Sequence, residues 1–177
     1  LIEKKKVLEI GSGTGQHAVF FSKHLSHLLW QCSDLPRNLP GINEWIEESK
    51  LQNVLSAISL NVDRDEIPLN EFDVVFTANT LHIMGWDSVL QLIQKVGVSL
   101  RPEGLFIIYG PFNFNGEFTS DSNKAFDNTL RQENPKMGIR NFEEILEFSS
   151  QNHLEILGKL PMPANNFILI FNKIKSS

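Results

Sequence analysis

The stretch LEIGSGTGQH, residues 8–17, carries three glycines at alternate positions, Gly11, Gly13 and Gly15. One serine and one threonine separate them, so about five residues have almost no side chain, and a ligand can approach the main chain closely. The apolar run before the turn is typical of a buried strand, and residues 16–28 have a partly helical period. The turn therefore joins a strand to a helix N-terminus, where main-chain N–H groups favour an anion.

The glycine spacing differs from that of a dinucleotide-binding turn. That fingerprint reads G-x-G-x-x-G, and its third glycine lets the helix pack closely on the strand. In this chain the corresponding position is Gln16, and no Ser/Tyr/Lys constellation such as Y-x-x-x-K occurs. An NAD-dependent oxidoreductase is therefore disfavoured.

Three acids stand at the ends of successive predicted strands. Glu9 precedes the turn by two residues, Asp34 ends the second strand, and Asp63 follows the third. We expect them to converge on one crevice, because the carboxyl ends of parallel strands meet at one edge of a sheet. Such a set suits an ammonium group, two ribose hydroxyls and an exocyclic amine, and it repels a pyrophosphate. S-adenosylmethionine carries these groups, and its sulfonium adds a further positive charge.

Each of these features also has a plainer interpretation. The glycine run also fits a tight turn that binds nothing, and Asp34 also fits a surface acid or a helix cap. Asp63 has Asp65 and Glu66 beside it, which is typical of a solvated acidic loop. The combination of all three acids with the turn favours the ligand site.

The hydrophobic pattern predicts strands that alternate with helices. Strands are expected over 7–10, 28–34, 54–62, 71–79, 105–109, 154–160 and 167–174, and helices over 16–28, 41–51, 87–100 and 141–152. Five β-then-α units imply an α/β fold with a doubly wound, mostly parallel, seven-stranded Rossmann-like sheet. The last two strands are separated by six residues and form a C-terminal antiparallel hairpin.

Residues 111–140 interrupt this alternation. The segment is polar and rich in asparagine, and it holds at most one helix, with Phe126 and Leu130 as its i, i+4 apolar pair. Such a long polar connection predicts an insertion or a lid.

Composition limits the classes of protein to which the chain belongs. Its 177 residues are 41% hydrophobic, and no apolar run reaches the length of a membrane span. With 16 basic and 21 acidic residues the net charge is −5, which disfavours an electrostatic nucleic-acid binder. Cys32 is the only cysteine, so a disulfide framework is excluded and a cytoplasmic location is expected.

Several motifs resemble those of Rossmann-like, S-adenosylmethionine-dependent methyltransferases in order and spacing. They are VLEIGSGTGQH with Asp34, NVD ending at Asp63, FDVVFTANTLHI and LRPEGLFIIYGPF. More narrowly, SGTGQHAVFF, ANTLHI, YGPF, SNKAFDNTLR and MPANN are similar to the DUF938 family of methyltransferases, which includes the methyltransferase-like 26 proteins of animals.

The resemblance implies a set of cofactor contacts. They are Glu9, the turn residues Gly11, Ser12, Gly13 and Gly15, Asp34 on the ribose, Asp63 on the adenine, and Asn79 or His82 beside the methyl donor. The loop after the fourth strand reads NTLHIMGW and lacks the Asn- or Asp-Pro-Pro-aromatic motif of amino-methylating nucleic-acid enzymes. Because the first strand begins within seven residues, the helix that usually precedes it in this fold is expected to be missing.

Two side chains are candidates for catalysis. His82 follows the fourth strand, and an ordinary histidine pKa of ~6.5 suits a general base. Tyr109, the only tyrosine, ends the fifth strand, where it would orient the acceptor. Both residue types are as often packed structural groups, and methyl transfer onto a good nucleophile proceeds by positioning and desolvation without a base.

Candidate substrate contacts lie later in the chain, at Asn113, Asn123, Arg140 and Asn165. Their amides and guanidinium would recognise a polar or anionic substrate, or they would hold the loops together. No H-x₃-H pair or carboxylate pair occurs at ligand spacing, so no metal is predicted.

The sequence thus predicts a single-domain methyltransferase over residues 1–177 that uses S-adenosylmethionine to methylate a small polar acceptor. The alternative is a non-catalytic S-adenosylmethionine-binding or protein-interaction module on the same fold, with segment 111–140 as the partner surface.

Overall fold

The computed structural model describes residues 5–174, which form eight strands, five α-helices and three short 3₁₀ helices. The strands are β1 (Lys5–Ile10), β2 (Leu28–Asp34), β3 (Val54–Ser59), β4 (Phe72–Ala78), β5 (Leu100–Asn113), β6 (Arg140–Asn141), β7 (Leu154–Met162) and β8 (Asn166–Lys173). The helices are α1 (Gln16–His24), α2 (Leu39–Ser49), α3 (Trp86–Ser99), α4 (Asp121–Glu133) and α5 (Phe142–Gln151). None of these helices is long and apolar enough to cross a membrane.

Seven strands form one sheet in the order β3-β2-β1-β4-β5-β8-β7. The first five strands in this order pair in parallel, and β8 is antiparallel to both β5 and β7. The α/β, doubly wound, mostly parallel sheet with a C-terminal antiparallel hairpin is therefore confirmed. The strand order changes direction between β1 and β4, so a crevice opens beyond their carboxyl ends.

Helices cover both faces of the sheet. On the front face, Ala18 of α1 and Ile42 of α2 pack against Val7 and Trp30. On the back face, α3 and α5 pack against Leu8, Phe106 and other apolar side chains of the strands. The apolar residues that predicted α3 form its buried face, since Val89, Leu92, Ile93 and Val96 are all inaccessible to solvent. The helices thus fix the strands whose ends form the crevice.

The connection between β3 and β4 differs from the predicted β-then-α pattern. Residues 60–71 form turns and no helix. This segment contains Pro68 and a polar NVDRDE run, which has too few apolar positions at helical spacing to bury a helix face. The result is an irregular loop that contributes to the crevice.

Strand β5 is longer than predicted and shortens the expected insertion. It runs from Leu100 to Asn113, with an irregular register after Leu100. The other end of the segment, Arg140, forms β6 and pairs with Phe112 of β5. Segment 111–140 is therefore tied to the sheet at both of its ends, and it holds the single predicted helix, α4.

We expect Gly97→Ala to destabilise the protein, although alanine favours helices by about 1 kcal/mol over glycine. A Cβ at Gly97 in α3 would lie 2.6 Å from the main-chain oxygen of Asn152, so the end of α5 must move, at a cost of about 1–3 kcal/mol. Urea unfolding measures the difference. Gly158→Ala is the control, because no atom lies within 4 Å of its added Cβ. An unchanged midpoint for Gly97→Ala would show that this helix contact is not tight.

Candidate functional site

A cavity of about 650 Å³ opens at the carboxyl ends of the first four strands, and we call it the crevice cavity. Its size is within the range of small-molecule sites. The wall consists of Ile10 to Thr14 with Gln16 and His17, Asp34, Leu35, Arg37 and Asn38, Leu60 to Asp63, Ala78 to Thr80, and Ile83, Met84, Ser88 and Met137. The loops after β1, β2, β3 and β4 all contribute, as expected for ligand sites in such sheets.

The three turn glycines have the left-handed backbone that favours glycine, with φ values of +74°, +60° and +81° for Gly11, Gly13 and Gly15. A Cβ at Gly11 would lie 2.8 Å from Thr80 Oγ1, whereas a Cβ at Gly13 would meet no atom within 4 Å. Gly13 is therefore the point where a ligand can approach the main chain. Gly15 lies off the wall and starts α1, where its close neighbour is Ile42.

Asp34 binds the glycine turn to the end of β2. Its Oδ2 accepts a hydrogen bond from the Gly13 N–H at 2.8 Å, and its Oδ1 accepts from the Leu35 N–H and from Asn38 Nδ2. A carboxylate has about four acceptor positions, so capacity for a further donor remains. Asp34 is buried and lines the crevice cavity, where that capacity is available to a ligand.

Ser12, Asp63 and Asn79 are three more of the predicted cofactor residues on the wall. Asp63 is exposed at the rim, and the Asn79 side chain is exposed at the end of β4. Asn79 has a φ of +55°, a conformation that is uncommon for residues other than glycine and that clusters at functional sites. Its N–H donates to the Tyr109 oxygen at 2.9 Å, so β5 fixes its position.

Glu9 lies beneath the turn and off the cavity wall. Its side chain is fully buried on the front face, and its Oε2 accepts a hydrogen bond from Trp30 Nε1 at 3.0 Å. Its other oxygen lies 3.3 Å from Nδ1 of His17, which does line the cavity. Glu9 is therefore connected to the cavity through His17.

Cys32 lies beside this buried carboxylate. Burial, and then the charge of Glu9, raise the pKa of its thiol to about 12. The thiol therefore stays protonated at neutral pH and does not act as a nucleophile.

His82 is buried behind the wall of the cavity. Its ring meets the Phe126 ring edge-on at 5.2 Å between centroids. A Cβ built on Gly110 would lie 3.8 Å from Asn79 Oδ1 and 4.0 Å from His82 Nδ1, so both side chains flank that glycine. Burial, and then the charge of Arg140, lower the pKa of His82 to about 4, so the ring is neutral at neutral pH.

Tyr109 is half-buried in β5 and packs with the front-face core. It does not line the crevice cavity, and it is connected to the site by the main-chain hydrogen bond from Asn79. Among the described residues, neither predicted catalytic side chain forms part of the cavity wall.

Arg140 uses its guanidinium to join two main-chain segments. Its Nε donates to the Leu81 oxygen at 3.2 Å, and its Nη2 donates to the oxygens of Met84 and Lys136. The guanidinium also lies 5.8 Å from the centroid of the Trp86 ring. The loop-holding interpretation therefore has direct support, because these donors are occupied by carbonyls of the protein.

The other predicted substrate residues also lie away from the crevice cavity. Asn113 and Arg140 line a second chamber of about 420 Å³ beside α4. Asn123 donates to Thr119 Oγ1 at 2.9 Å and to the Asn165 oxygen at 3.4 Å, which ties α4 to the β7–β8 turn. The four residues thus occupy two places, and their role in substrate binding stays a prediction.

Several wall residues were not among the candidates from the sequence. They include His17, Arg37, Asn38, Asn61, Thr80, Ile83, Met84, Ser88 and Met137. The first seven of these residues lie within four positions of a predicted residue in the loops after β1 to β4, so they had a detectable signal. Ser88, in α3, and Met137, in segment 111–140, had none, because they reach the cavity only through the tertiary fold.

The family model described as "Protein of unknown function (DUF938)" matches residues 1–173 of the chain. This match confirms the DUF938 family that the sequence motifs predicted. The likeness to the animal methyltransferase-like 26 proteins stays a prediction.

Several solved structures, methyltransferases among them, have the same fold. The apo form of the S-adenosylmethionine-dependent methyltransferase SibL matches 97% of this chain and 51% of its own, with 20% identity and a TM-score of 0.81. The O-methyltransferase family 2 protein of Planctomyces limnophilus, in complex with apigenin, matches 96% and 51%, with 15% identity and a TM-score of 0.85. The YcgJ protein of Bacillus subtilis matches 98% and 94%, with 14% identity and a TM-score of 0.78. The chain thus spans about half the length of the first two proteins.

We expect His82→Gln to reduce the acid sensitivity of the fold. The folded-state pKa of about 4 lies below the unfolded value of 6.5, so between these values the unfolded state binds the extra proton. The free energy of unfolding therefore falls, by up to about 1.4 kcal/mol per pH unit, as the pH decreases through this window. Above it both states are neutral and the contribution is absent.

Urea unfolding at several pH values between about 4 and 7 measures this slope in the wild type and the variant. The exposed His24→Gln serves as the control and should keep the wild-type slope. An identical slope in His82→Gln would contradict the assignment.

We expect Arg140→Met to lower the free energy of unfolding by roughly 2–4 kcal/mol, because it leaves several carbonyl groups without a charged donor. Arg140→Lys should recover only part of this loss, since an ammonium does not reproduce the guanidinium fork. Urea denaturation measures both, with the exposed Arg64→Met as the matched control. Equal midpoints for Arg140→Met and Arg64→Met would refute the loop-holding role.

Proposed function

Because the chain belongs to the DUF938 family and has the fold of S-adenosylmethionine-dependent methyltransferases, we propose that it binds S-adenosylmethionine in the crevice cavity and methylates a small polar acceptor. The observation that carries the proposal is Asp34. Its carboxylate lies at the end of β2, beside the open glycine turn; it lines the cavity and has acceptor capacity beyond its three protein donors. A buried carboxylate at this place suits the paired hydroxyls of a ribose.

The composition of the wall supports the same ligand. Asp63 at the rim would accept from the adenine amino group, and the turn at Gly11 to Gly13 would face the methionyl part. Gln16 also lies on the wall, at the position where a dinucleotide site has its third glycine. Acids on the wall suit a ligand with a sulfonium and an ammonium, whereas a pyrophosphate would be repelled. When bound, S-adenosylmethionine supplies an electrophilic methyl group.

Asn79 is the proposed contact at the methyl-transfer end, because it is exposed at the end of β4 and its backbone is fixed by β5. His82 is proposed as the proton acceptor when the acceptor group needs one, since its ring is neutral at neutral pH and flanks Gly110 together with Asn79. Tyr109 is proposed to orient the acceptor. Positioning and exclusion of water supply the rest of the rate enhancement.

A non-catalytic binding module is the second candidate function. The observation in its favour is that neither His82 nor Tyr109 lies on the cavity wall. Such a module would bind S-adenosylmethionine and S-adenosylhomocysteine without consuming the former, so transfer of a labelled methyl group to a panel of small acceptors separates the two functions.

We expect calorimetric titration to show binding of S-adenosylmethionine and S-adenosylhomocysteine, and none of NADH. Asp34→Ala should weaken both adenosyl ligands by roughly tenfold to a hundredfold, as expected when a hydrogen bond to a charged group is lost. Asp34→Asn preserves more of the turn and should give a smaller loss. Glu48→Ala, at an exposed position of α2, should bind as the wild type does. A folded wild-type chain that binds neither adenosyl ligand would overturn the proposal.

A further inference from the structure

The carboxylate of Glu9 is an ionisable group in the interior of the front face, with none of its side chain exposed. Its donors are the indole N–H of Trp30 at 3.0 Å, the ring of His17 at 3.3 Å and, more weakly, the thiol of Cys32 at 3.9 Å. Burying a carboxylate is unfavourable unless donors compensate it, so these neighbours matter to the fold. In the described part of the chain, His17 is the one basic side chain within ion-pair distance of Glu9.

This arrangement fixes the orientation of His17. A carboxylate accepts hydrogen bonds and does not donate them, so the Nδ1 of His17 is the donor. Two aromatic rings contact the imidazole on other sides. The ring centroid of Phe21 lies 6.3 Å from that of His17 in a stacked arrangement, and the ring centroid of Phe76 lies 5.6 Å away in an edge-on arrangement. The remaining nitrogen, Nε2, has no hydrogen-bond partner within residues 5–174, and 47% of the side chain is exposed to solvent. The free nitrogen is therefore available to a ligand.

His17 also lies at a defined place in the crevice cavity. It is the second residue of α1, directly after the glycine turn, and it lines the cavity together with Gly13. Its contact with Phe76 places it towards β4, whereas Asp34 is at the end of β2. Strand β1 lies between β2 and β4. A ligand whose ribose binds Asp34 would therefore extend across the turn towards His17.

We propose that His17 binds the methionyl end of S-adenosylmethionine and that Glu9 is a positioning residue that acts through His17. The inference rests on the proposed function. The methionyl end carries an ammonium and a carboxylate on the same carbon, so Nε2 finds a partner there as an acceptor or as a donor. The arrangement gives the buried acid a role in the site although it does not line the cavity.

The test compares two ligands that differ only at the methionyl end. S-adenosylhomocysteine has the amino and carboxyl groups, and 5′-methylthioadenosine has the same adenosine and sulfur without them. His17→Ala and His17→Gln should weaken S-adenosylhomocysteine by roughly tenfold and leave 5′-methylthioadenosine unchanged. His17→Gln keeps an amide donor for Glu9, so it controls for any loss of folding.

Two further variants calibrate the comparison. Asp34→Ala should weaken both ligands, because the adenosine is common to them. His24→Ala, on the exposed part of the same helix, should weaken neither. Urea unfolding without ligand separates changes in stability from changes in affinity.

The role of Glu9 is tested by a double-mutant cycle with S-adenosylhomocysteine. If Glu9 acts through His17, Glu9→Gln weakens binding on its own but adds little to His17→Ala, so the two losses are not additive. Additive losses would show that Glu9 does not act through His17.

The outcomes distinguish this inference from the proposed function. Equal losses for both ligands in the His17 variants, or no loss for either, would overturn the role of His17 while adenosyl binding by the wild type stands. Absence of binding of both ligands to the folded wild type would remove the proposed function together with the inference.

Discussion

The hydrogen bond from the Gly13 N–H to the Asp34 carboxylate holds the glycine turn against the end of β2, and the rest of the site is built on it. The main chain reinforces it, because the N–H groups of Gly11 and Ser12 both donate to the Ser33 oxygen at 3.0 Å. The turn can make these bonds because its glycines adopt left-handed conformations. Since the turn is held on one side, its other side stays open to the crevice cavity, and the start of α1 is fixed beside it.

The loop after β4 forms another part of the cavity wall, and buried side chains hold it in place. The loop after β4 is held by Arg140, whose donors are used by main-chain oxygens, and by the Gly138 N–H, which donates to the His82 oxygen at 2.9 Å. The same burial lowers the pKa of His82 and keeps its ring neutral. Segment 111–140 therefore acts as a packed wall that contributes Met137 to the cavity.

The polar groups of the site are distributed along the cavity. Carboxylates stand at the ends of β2 and β3, and the imidazole of His17 stands between the turn and β4. The buried carboxylate of Glu9, beneath the turn, contacts that imidazole without lining the cavity. This distribution of polar groups suits a ligand with a hydroxylated, uncharged part at one end and an amino-acid group at the other. The proposed ligand, S-adenosylmethionine, has such a structure.

Apolar runs in the sequence predicted seven of the eight strands, although not the full length of β5, and the apolar period of residues 87–100 predicted α3. The position of Asp34 and Asp63 after successive strands predicted that they share one edge of the sheet, whereas Asn79 was indicated by the family resemblance; all three line the crevice cavity. Two other features depend on tertiary contacts: Arg140 donates to carbonyls 56 and 59 residues away, and Met137 contacts the cavity. Alternation in β1 places Glu9 on the front face with Val7, but its partners Trp30 and His17 meet it only once β2 and α1 have packed. The physical reason is that local patterns record which face a residue buries, whereas hydrogen-bond partners depend on the path of the whole chain.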